Sequence, residues 1–413
     1  MIRAMSSALS GLRNHQLMLD VVGNDIANVS TVGFKGSTAL FSDVLTQTIR
    51  GAGSPTGTVG GTNPAQIGLG SKLAGTVQSF TQGALQRTGR SSDLAIQGDG
   101  FFVVNNNGQQ MYTRAGAFTL DAQGTLTTQD GMLVQGWQAN QAGQIDTNAP
   151  VGPVQIRVGD LLPPVQTGQV DLGGNLSAEA AVNDTTQMTV TAYDQQGVAT
   201  PINMVFTKTA ANQWTVSATY GATNTAVALT DNVLTFNGAG ELTVPADRNI
   251  NIAGGTIPGF PNAMALDLGG ATAPGRVTQY SGSGTIAVNH QNGSAAGSLQ
   301  SYSISQDGVI VGSYSNGLSK AIGQVAMAVF TNPEGLERTG GAWRESANSG
   351  LAQIGTAGSG GRGLLAAGNL EMSNVDLAEE FTRLIVAQRG FQGNARVITT
   401  SDEVLQEVVS LKR

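Results

Sequence analysis

The chain of 413 residues contains two histidines, and neither has sequence neighbours that would make it a catalytic base. His15 lies in a stretch of helical periodicity, which indicates a solvated or interface side chain, and His290 lies in the turn-like segment 289–293. No Ser–His–Asp arrangement is suggested. The chain has no cysteine, which excludes thiol nucleophiles, disulfides and zinc–thiolate sites.

The acidic and glycine-rich motifs also favour structural explanations. Adjacent Glu379 and Glu380 are typical of the solvated face of a helix rather than of a carboxylate pair for acid–base work. Segment 358–363 is rich in glycine but lacks the preceding strand and the lysine of a phosphate-binding loop. Three aspartates occupy turn-like contexts without the spacing of a calcium loop, namely Asp121, Asp194 and Asp307. We therefore expect no enzyme activity, no bound cofactor and no metal site.

The charge distribution limits the possible partners. Charged residues make up 12% of the chain, the net charge is −7, and no basic cluster is present. Binding to a nucleic acid or to an anionic membrane needs a local cationic patch on the protein, so we expect neither as a partner. No apolar run approaches the roughly 18 residues of a membrane span. Polar residues at 13–16 interrupt the N-terminal apolar stretch that a Sec signal needs, which predicts a cytoplasmic chain or export by another route.

Both ends of the chain repeat apolar residues with a helical period of about 3.5 residues. Residues 2–29 predict a helix about 40 Å long, and the C-terminal stretch predicts a second helix of about 35 residues. Ser373, with an acid three residues later, is predicted to cap the second helix. The apolar positions that we expect to mediate assembly are Leu9, Leu12, Leu19, Ile26, Phe381, Leu384, Phe391, Ile398 and Leu405.

Each apolar stripe alone is compatible with an ordinary core helix, because helices normally bury one face. The two stripes, however, lie at the extreme ends of the chain and have no neighbouring helix in the sequence. The nearest apolar partner of each stripe is therefore the other stripe or a second copy of the chain. Gln16, Gln388 and Asp402 lie at seam positions, and their polarity favours a polymer in which neighbours or water satisfy them.

Between the helices the hydrophobic period changes to two, which predicts β-strands. The predicted fold class is α+β, with the terminal helices as a coiled-coil-like pair and nested antiparallel β domains between them. The predicted boundaries are a terminal helical domain at 1–30 and 372–413, a connecting region at 31–75 and 355–371, an inner β domain at 76–147 and 286–354, and an inserted outer β domain at 148–285.

Five motifs, in the same order, resemble the signatures of the bacterial flagellar rod and hook proteins. The N-terminal motif reads LDVVGNDIANVSTVGFK, two internal motifs read DLAIQGDGFFVV and YTRAGAFT, and the C-terminal pair reads GNLEMSNVDLAEEFT and QRGFQGNARVI. These motifs lie at residues 19–35, 93–104, 112–119, 368–382 and 388–398. The central residues carry none of them, so the resemblance covers the two flanking parts of the chain.

The resemblance implies a helical homopolymer in which the terminal helices line an inner tube and the β domains stack outward. A rod protein of this family would lack much of the insert at 150–285, so the length of the chain favours a hook subunit, which implies a bendable coupling that joins the rod to the filament and transmits torque. The implied partners are further copies of the chain, the distal rod protein, the hook cap, the hook–filament junction proteins and the flagellar export apparatus. The implied location is the extracellular flagellar hook, reached by type III export without a cleaved signal peptide.

Phe41 and Leu45 resemble a short Phe-x-x-x-apolar element that is linked to export in such proteins. A distal rod subunit of the same family is an alternative function. A secreted β-rich adhesin or glycan-active protein is another, and it would explain the Thr/Asn/Gly-rich centre but not the two terminal helices.

Overall fold

A computed structural model describes residues 2–55, 60–221, 223–269 and 275–410. Helix α1 spans Ile2–Ala27 and helix α2 spans Leu377–Ser410. Strands occupy the middle of the chain, which confirms the predicted α+β class with terminal helices. Residues 1 and 411–413 of the predicted helical domain lie outside the described residues.

The strands are numbered in chain order. The first thirteen are β1 (Ser37–Asp43), β2 (Thr46–Arg50), β3 (Ala65–Gly68), β4 (Ser71–Gln78), β5 (Leu85–Arg87), β6 (Leu94–Gln97), β7 (Phe101–Asn106), β8 (Gln109–Thr113), β9 (Thr119–Leu120), β10 (Leu126–Thr127), β11 (Leu133–Gln138), β12 (Gly152–Pro153) and β13 (Leu161–Leu162). The next twelve are β14 (Gln169–Asn175), β15 (Thr185–Tyr193), β16 (Ala199–Ala210), β17 (Gln213–Tyr220), β18 (Thr225–Val227), β19 (Leu229–Thr230), β20 (Val233–Phe236), β21 (Leu242–Val244), β22 (Asn249–Ile252), β23 (Met264–Asp267), β24 (Val277–Thr278) and β25 (Ala287–Gln291). The last nine are β26 (Gly297–Ile304), β27 (Val309–Tyr314), β28 (Ser319–Val325), β29 (Met327–Val329), β30 (Glu337–Thr339), β31 (Ala342–Arg344), β32 (Gln353–Gly355), β33 (Leu364–Ala367) and β34 (Asn369–Glu371).

The chain divides into two compact units. Unit 1 comprises residues 1–157, 302–312 and 320–413, and unit 2 comprises residues 158–301 and 313–319. The four-part division made from the sequence stays a prediction.

The main sheet of unit 1 surrounds an aromatic core. Strand β7 pairs with β8 and β11, and β8 continues the sheet through β31 to β30. Phe101 and Trp343 lie 5.5 Å apart between ring centroids, and Tyr112 and Phe330 lie 4.7 Å apart in an edge-to-face arrangement. All four rings are buried. Such contacts stabilise a core beyond the burial of area alone, so this sheet is a firm base for the elements packed on it.

Unit 2 is formed by two sheets with a common core. One sheet has the order β15-β16-β17-β20-β21, and the other has the order β19-β22-β23-β14-β24. Along β16 the inward residues Ile202, Met204 and Phe206 are buried, whereas the residues between them are half-exposed, as expected for a sheet with one solvated face. Most strand pairs are antiparallel, but β14 runs parallel to β23 and β24.

The predicted connecting segment 31–75 is largely extended. Strand β1 pairs with β4 and β2 pairs with β3, so the two hairpin pairs follow one another along the same ribbon. All five residues of β2 are exposed. No helix among the described ranges is long and apolar enough to cross a membrane.

Helix α2 begins differently from the sequence-based prediction. The Oδ1 atom of Asp376 accepts hydrogen bonds from the backbone N–H of Ala378, at 2.8 Å, and of Glu379, at 3.4 Å. Asp376 is therefore the N-cap, and the prediction of Ser373 was wrong by three residues. Asp376 is the better cap because its carboxylate also favours the positive end of the helix dipole.

Candidate assembly surface

Helices α1 and α2 pack side by side in antiparallel orientation, as two cross-helix pairs show. A Cβ atom added to Gly11 would stand 2.7 Å from Nδ2 of Asn394. One added to Gly390 would stand 2.8 Å from Cδ2 of His15 and closer still to two other imidazole atoms. Position 11 thus faces 394 and position 15 faces 390. At both places the absence of a glycine side chain lets a larger residue of the other helix approach the backbone.

The buried apolar residues of the two helices are small. Ala8, Val22 and Ala387 are at most 5% exposed. Asn14 is also buried, and its Nδ2 atom donates a hydrogen bond of 2.7 Å to Oγ of Ser71 at the start of β4. The close approach of the two backbones explains why small side chains, rather than leucines, fill the centre of the contact.

The predicted assembly residues lie at the margins of this contact. Leu9 is 43% exposed and Phe381 is 52% exposed. The others are half-buried, namely Leu12, Leu19, Ile26, Leu384, Phe391, Ile398 and Leu405. The structure brings them onto one helix pair, and their role in assembly stays a prediction.

Much apolar surface on the pair has no cover within the described part of the chain. The exposed apolar residues are Leu17, Ile385, Val386, Val397, Val404, Val408 and Val409. Because residue 11 faces residue 394 and the helices run in opposite directions, Ile2 lies level with about residue 403. The last turns of α2 therefore extend past the start of α1. Exposed apolar surface of this extent is typical of an interaction site.

A buried ion cluster joins the helix pair to the main sheet of unit 1. Nζ of Lys35 lies 2.6 Å from Oε1 of Glu371, and both side chains are fully excluded from solvent. Arg114, which is 2% exposed, lies 3.4 Å from the other carboxylate oxygen of Glu371. The backbone N–H of Gly83 donates a further hydrogen bond, of 3.0 Å, to Oε1. The carboxylate is thus well satisfied, as a buried charge must be.

The three charged residues of the cluster come from three of the motifs that carry the family resemblance. Lys35 ends the N-terminal motif, Arg114 lies in the motif at 112–119, and Glu371 lies in the C-terminal motif. The backbone N–H of Gly33 also donates a hydrogen bond of 2.7 Å to the carbonyl of Glu371. Gly33 has a φ of +68°, and a Cβ there would collide with the backbone of residues 114 and 115. These motifs therefore encode one junction.

Asn374 fastens the same junction from the side of α2. Its Oδ1 atom accepts a hydrogen bond of 2.9 Å from the N–H of Gly36. Its Nδ2 atom donates to the carbonyl of Ser79, at 2.8 Å, and to Oγ1 of Thr81, at 2.9 Å. One side chain thus links the start of β1, the end of β4 and the approach to α2.

Two carboxyl groups at the junction are buried and only partly satisfied. Asp25 is 1% exposed, and its Oδ2 atom accepts a hydrogen bond of 2.8 Å from the N–H of Ser37. Glu380 is 5% exposed, and its Oε1 atom accepts a hydrogen bond of 2.9 Å from Nη1 of Arg383. Oδ1 of Asp25 and Oε2 of Glu380 have no hydrogen-bond partner among the described residues. Burial raises the pKa of both carboxyl groups, and the charge of Asp25 raises that of Glu380 further.

The predicted export residues lie on the ribbon formed by β1 to β4. Phe41 is 37% exposed in β1, and Leu45 is 63% exposed between β1 and β2. Their side chains are therefore available to another protein, and their link to export stays a prediction.

The residues that were considered as catalytic or metal-binding candidates make structural contacts. His15 packs over Gly390, and Glu379 and Glu380 both pair with Arg383. Asp121 and Asp194 accept backbone hydrogen bonds within their own turns. Within the described ranges no group of three or more His, Asp or Glu could hold a metal ion.

Sequence reasoning missed the residues that organise the junction and the helix crossing. Lys35, Arg114 and Glu371 were noticed only as members of motifs, and Gly11 and Gly390 were not singled out. Their signal in the sequence was the presence of a charge or a glycine inside an otherwise apolar or turn-like motif. Such a signal cannot identify the partner, because the partners are distant in the chain: 336 residues separate Lys35 from Glu371, and 383 residues (394 − 11) separate Gly11 from Asn394.

Family models match four parts of the chain. The model described as "Flagella basal body rod protein" matches residues 5–35, and "Flagellar hook protein FlgE/F/G D1 domain" matches residues 95–178. "Flagellar basal body protein FlaE D2 domain" matches residues 165–294, and "Flagellar basal body rod FlgEFG protein C-terminal" matches residues 366–411. The match at 5–35 covers most of α1 and contains Lys35, and the match at 366–411 covers all of α2 and contains Glu371.

Relatives match the chain over its whole length. The flagellar hook protein FlgE of Treponema pallidum is 38% identical, with all of both chains covered. The FlgE of Escherichia coli is 37% identical over 99% of this chain and all of the relative. The flagellar basal-body rod protein FlgG of Bacillus subtilis is 32% identical, again over all of both chains.

A solved structure shares the fold. The crystal structure of the Helicobacter pylori flagellar hook protein FlgE2 superposes with a TM-score of 0.56 at 14% sequence identity, covering 70% of this chain and all of that chain. The fold of the units, the motifs that meet at the buried cluster and the full-length relatives agree. The chain belongs to the family of bacterial flagellar hook proteins.

Proposed function

We propose that copies of this chain polymerise into the helical tube of the flagellar hook, a flexible coupling that joins the rod to the filament and transmits torque. The observation that carries the proposal is the uncovered apolar surface of the α1–α2 pair, which includes Phe381, Ile385 and Val408. In a monomer such a surface favours aggregation, whereas in a polymer neighbouring copies bury it. A contact that repeats head to tail without closing generates a helical filament.

The junction between the helix pair and the main sheet of unit 1 suits a part that carries load. Lys35, Glu371 and Arg114 are fixed by charge-assisted hydrogen bonds in a site without solvent. A force applied to the sheet therefore reaches the helices through several short, directed contacts rather than through a flexible linker.

Membership of the family supports a proposal for the remaining partners and for the route to the hook. We propose that the polymer meets the distal rod protein at one end, the hook cap during growth and the junction proteins toward the filament. We also propose that the chain is exported by the flagellar type III apparatus without a cleaved signal peptide, with Phe41 and Leu45 as contacts for that apparatus.

A distal rod subunit is the second candidate, because the full-length similarity to FlgG of Bacillus subtilis reaches 32%. The two candidates differ in what a deletion strain lacks. A strain that lacks a hook subunit should still contain a complete rod, whereas a strain that lacks a rod subunit should contain a truncated rod. Electron microscopy of basal bodies purified from the deletion strain separates them.

Assembly through the helix pair is tested with a charge placed on its exposed surface. Phe381→Asp introduces a carboxylate at a side chain that is 52% exposed. We expect the monomer to fold with unchanged far-UV circular dichroism, while tubes of purified protein disappear from negatively stained electron micrographs. Val182→Asp is the matched control, because Val182 is 56% exposed in unit 2 and should leave the tubes intact.

Two outcomes would contradict the proposal. Tubes of normal length from Phe381→Asp would show that this helical surface is not the assembly contact. A deletion strain with intact hooks and filaments would remove the hook function altogether.

A further inference from the structure

Asn107 lies at the tip of the hairpin that β7 and β8 form in unit 1. The strand register pairs Asn106 with Gln109, so Asn107 and Gly108 are a two-residue loop. Their φ angles are both positive, at +50° for Asn107 and +87° for Gly108, as in a type I′ turn. Both residues are exposed. The side-chain amide of Asn107 is therefore followed directly by the backbone nitrogen of a glycine in an exposed turn.

An asparagine that precedes a glycine can react with its own backbone. The glycine nitrogen loses its proton to hydroxide and attacks the side-chain carbon Cγ. The bond between Cγ and Nδ2 then breaks, and ammonia leaves with a proton taken from water. Water opens the resulting five-membered succinimide ring at one of its two carbonyl groups, which yields aspartate or isoaspartate. Glycine permits this attack best, because it has no Cβ atom and the greatest backbone freedom.

The chain has four Asn–Gly pairs, at 107–108, 237–238, 292–293 and 316–317. At the second of these, the asparagine side chain is held within its turn. Oδ1 of Asn237 accepts hydrogen bonds of 2.9 Å from the N–H groups of Ala239 and Glu241. Its Nδ2 atom donates a further hydrogen bond of 3.2 Å to Oε2 of Glu241. Cγ of Asn237 is therefore restrained by three contacts.

The third and fourth pairs are restrained in the same way by more distant partners. Oδ1 of Asn292 accepts hydrogen bonds of 2.9 and 3.0 Å from the backbone N–H groups of residues 168–169. Nδ2 of Asn316 donates a hydrogen bond of 2.9 Å to the carbonyl of Ala295, and its Oδ1 atom accepts one of 3.1 Å from the N–H of Leu318. Each side chain thus has at least two bonds that oppose its rotation toward the following nitrogen.

The Asn107 side chain differs from the other three. It has no hydrogen-bond partner among the described residues, and it is exposed to water. Rotation that brings Cγ toward the Gly108 nitrogen therefore breaks no contact of the side chain. Each hydrogen bond that a reaction must break slows it by roughly fivefold. Two such bonds at the other sites correspond to a difference in rate of at least about tenfold.

One contact restrains the attacking nitrogen of Gly108. Its N–H donates a hydrogen bond of 2.7 Å to Oδ1 of Asn105, which is half-buried at the end of β7. This bond must break before the nitrogen loses its proton. Asn105 is therefore a positioning residue that slows the reaction, and its removal should accelerate it.

We propose that Asn107 is the site at which this chain deamidates spontaneously, through a succinimide formed with Gly108. Each conversion adds one negative charge at the tip of the hairpin and changes the formal net charge from −7 to −8. Aspartate preserves the turn, because Asp-Gly also forms type I′ turns. Isoaspartate adds one carbon to the backbone and so disturbs the register at the loop. The reaction needs no second copy of the chain, so its absence would leave the proposed assembly untouched.

The test is incubation of the folded full-length protein in mildly alkaline buffer made with water enriched in the heavy oxygen isotope. Tryptic peptides are then analysed by mass spectrometry, and uptake of the heavy isotope marks conversion during the incubation. Cleavage after Arg90 and Arg114 gives a peptide in which Asn107 belongs to the one Asn–Gly pair. We expect Asn107 to convert at least about tenfold faster than residues 237, 292 and 316, which are controls within the same chain.

A parallel incubation in urea separates the fold from the sequence. Unfolding removes the hydrogen bonds that distinguish the four sites, so their rates of conversion should become similar. An advantage of Asn107 that is as large in urea as in the folded protein would overturn the proposal, because it would assign the difference to neighbouring residues in the sequence.

Asn105→Ala tests the restraint on the nitrogen. It removes the acceptor of the Gly108 N–H and should accelerate the conversion of Asn107 several-fold in the folded protein. Asn106→Ala is the matched control, because Asn106 is exposed on the same hairpin and its side chain has no hydrogen-bond partner among the described residues. Its rate should equal that of the unchanged chain.

Two further results would overturn the proposal. One is a folded protein in which Asn107 converts no faster than the other three asparagines. The other is an equal rate of conversion in Asn105→Ala and Asn106→Ala, which would show that the structure of the turn does not control the reaction.

Discussion

Lys35 and Glu371 form an ion pair of 2.6 Å with both side chains fully buried, although 336 residues separate them in the sequence. The pair closes the chain on itself, because Lys35 follows the first helix and Glu371 precedes the second. Arg114 adds a third charge from the main sheet of unit 1. The base of the helix pair is therefore complete only when both ends of the chain and this sheet have come together.

Removing one member of this cluster should be costly. Lys35→Met leaves Arg114, at the longer distance of 3.4 Å, as the one charged partner of the buried Glu371 carboxylate among the described residues, and loss of one partner of a buried pair costs about 3–5 kcal/mol. Urea denaturation of the monomer measures the change. Glu337→Gln is the control, because Glu337 and Arg344 also lie 2.6 Å apart but are about half exposed, and loss of such a pair costs at most about 1 kcal/mol. Equal losses in the two variants would contradict this account.

Gly390 and Gly393 should respond in opposite directions to the same substitution. Gly390→Ala places a methyl group against the His15 ring and should destabilise the helix pair by about 1–3 kcal/mol. Gly393→Ala meets nothing within 4 Å and should stabilise α2 by up to about 1 kcal/mol. Denaturation followed by circular dichroism measures both. The double variant Gly390→Ala/His15→Ala should recover much of the loss if the contact is as described.

Asp25 and Glu380 should make the protein less stable as the pH rises. Burial raises the pKa of each carboxyl group above its ordinary value, which is 3.8 for aspartate and 4.5 for glutamate. The folded state therefore binds these protons more tightly than the unfolded chain. The free energy of unfolding should fall as pH rises from about 4 through the raised pKa values and then level off.

The variant Asp25→Asn/Glu380→Gln tests this dependence. Its unfolding midpoint should vary less with pH over that window than the midpoint of the unchanged chain. Asp130→Asn/Glu179→Gln, which removes two exposed negative charges, controls for net charge. An undiminished pH dependence in the double variant would assign the effect to other groups.

Leu45 is expected to matter for export rather than for folding. Leu45→Ser changes a side chain that is 63% exposed, so stability should move by no more than about 0.5 kcal/mol. Secretion into the medium, measured by immunoblot in a strain that cannot assemble the rod, should fall several-fold. Ile49→Ser is matched in exposure, at 63%, and lies on the adjacent strand β2. Equal secretion of the two variants would remove Leu45 from the export contact.

The helices were predictable because a periodic apolar pattern is a local property. The N-terminal stripe predicted residues 2–29, and the structure has Ile2–Ala27. The C-terminal helix was predicted with nearly its full length, but its cap was placed three residues early. The α+β class was likewise predictable, since the change from a helical period to a period of two is visible in the sequence.

The polar parts of the site were not predictable from pattern alone. Asn14, Asp25 and Glu371 are all buried, yet nothing local distinguishes them from solvated polar residues. Their burial depends on partners that are distant in sequence. The same holds for Gly11 and Gly390, whose role depends on the residue that happens to face them across the helix pair.

The unequal lengths of the two helices give the subunit a direction. Helix α2 extends beyond the start of α1, so one end of the pair presents a single helix and the other presents two helices and the ion cluster. Because the two ends of the helix pair differ, one end of a subunit binds the opposite end of the next subunit. End-to-end joining therefore gives every copy the same orientation. A tube formed in this way is polar, and proteins at its base and its tip meet chemically different surfaces of the same subunit.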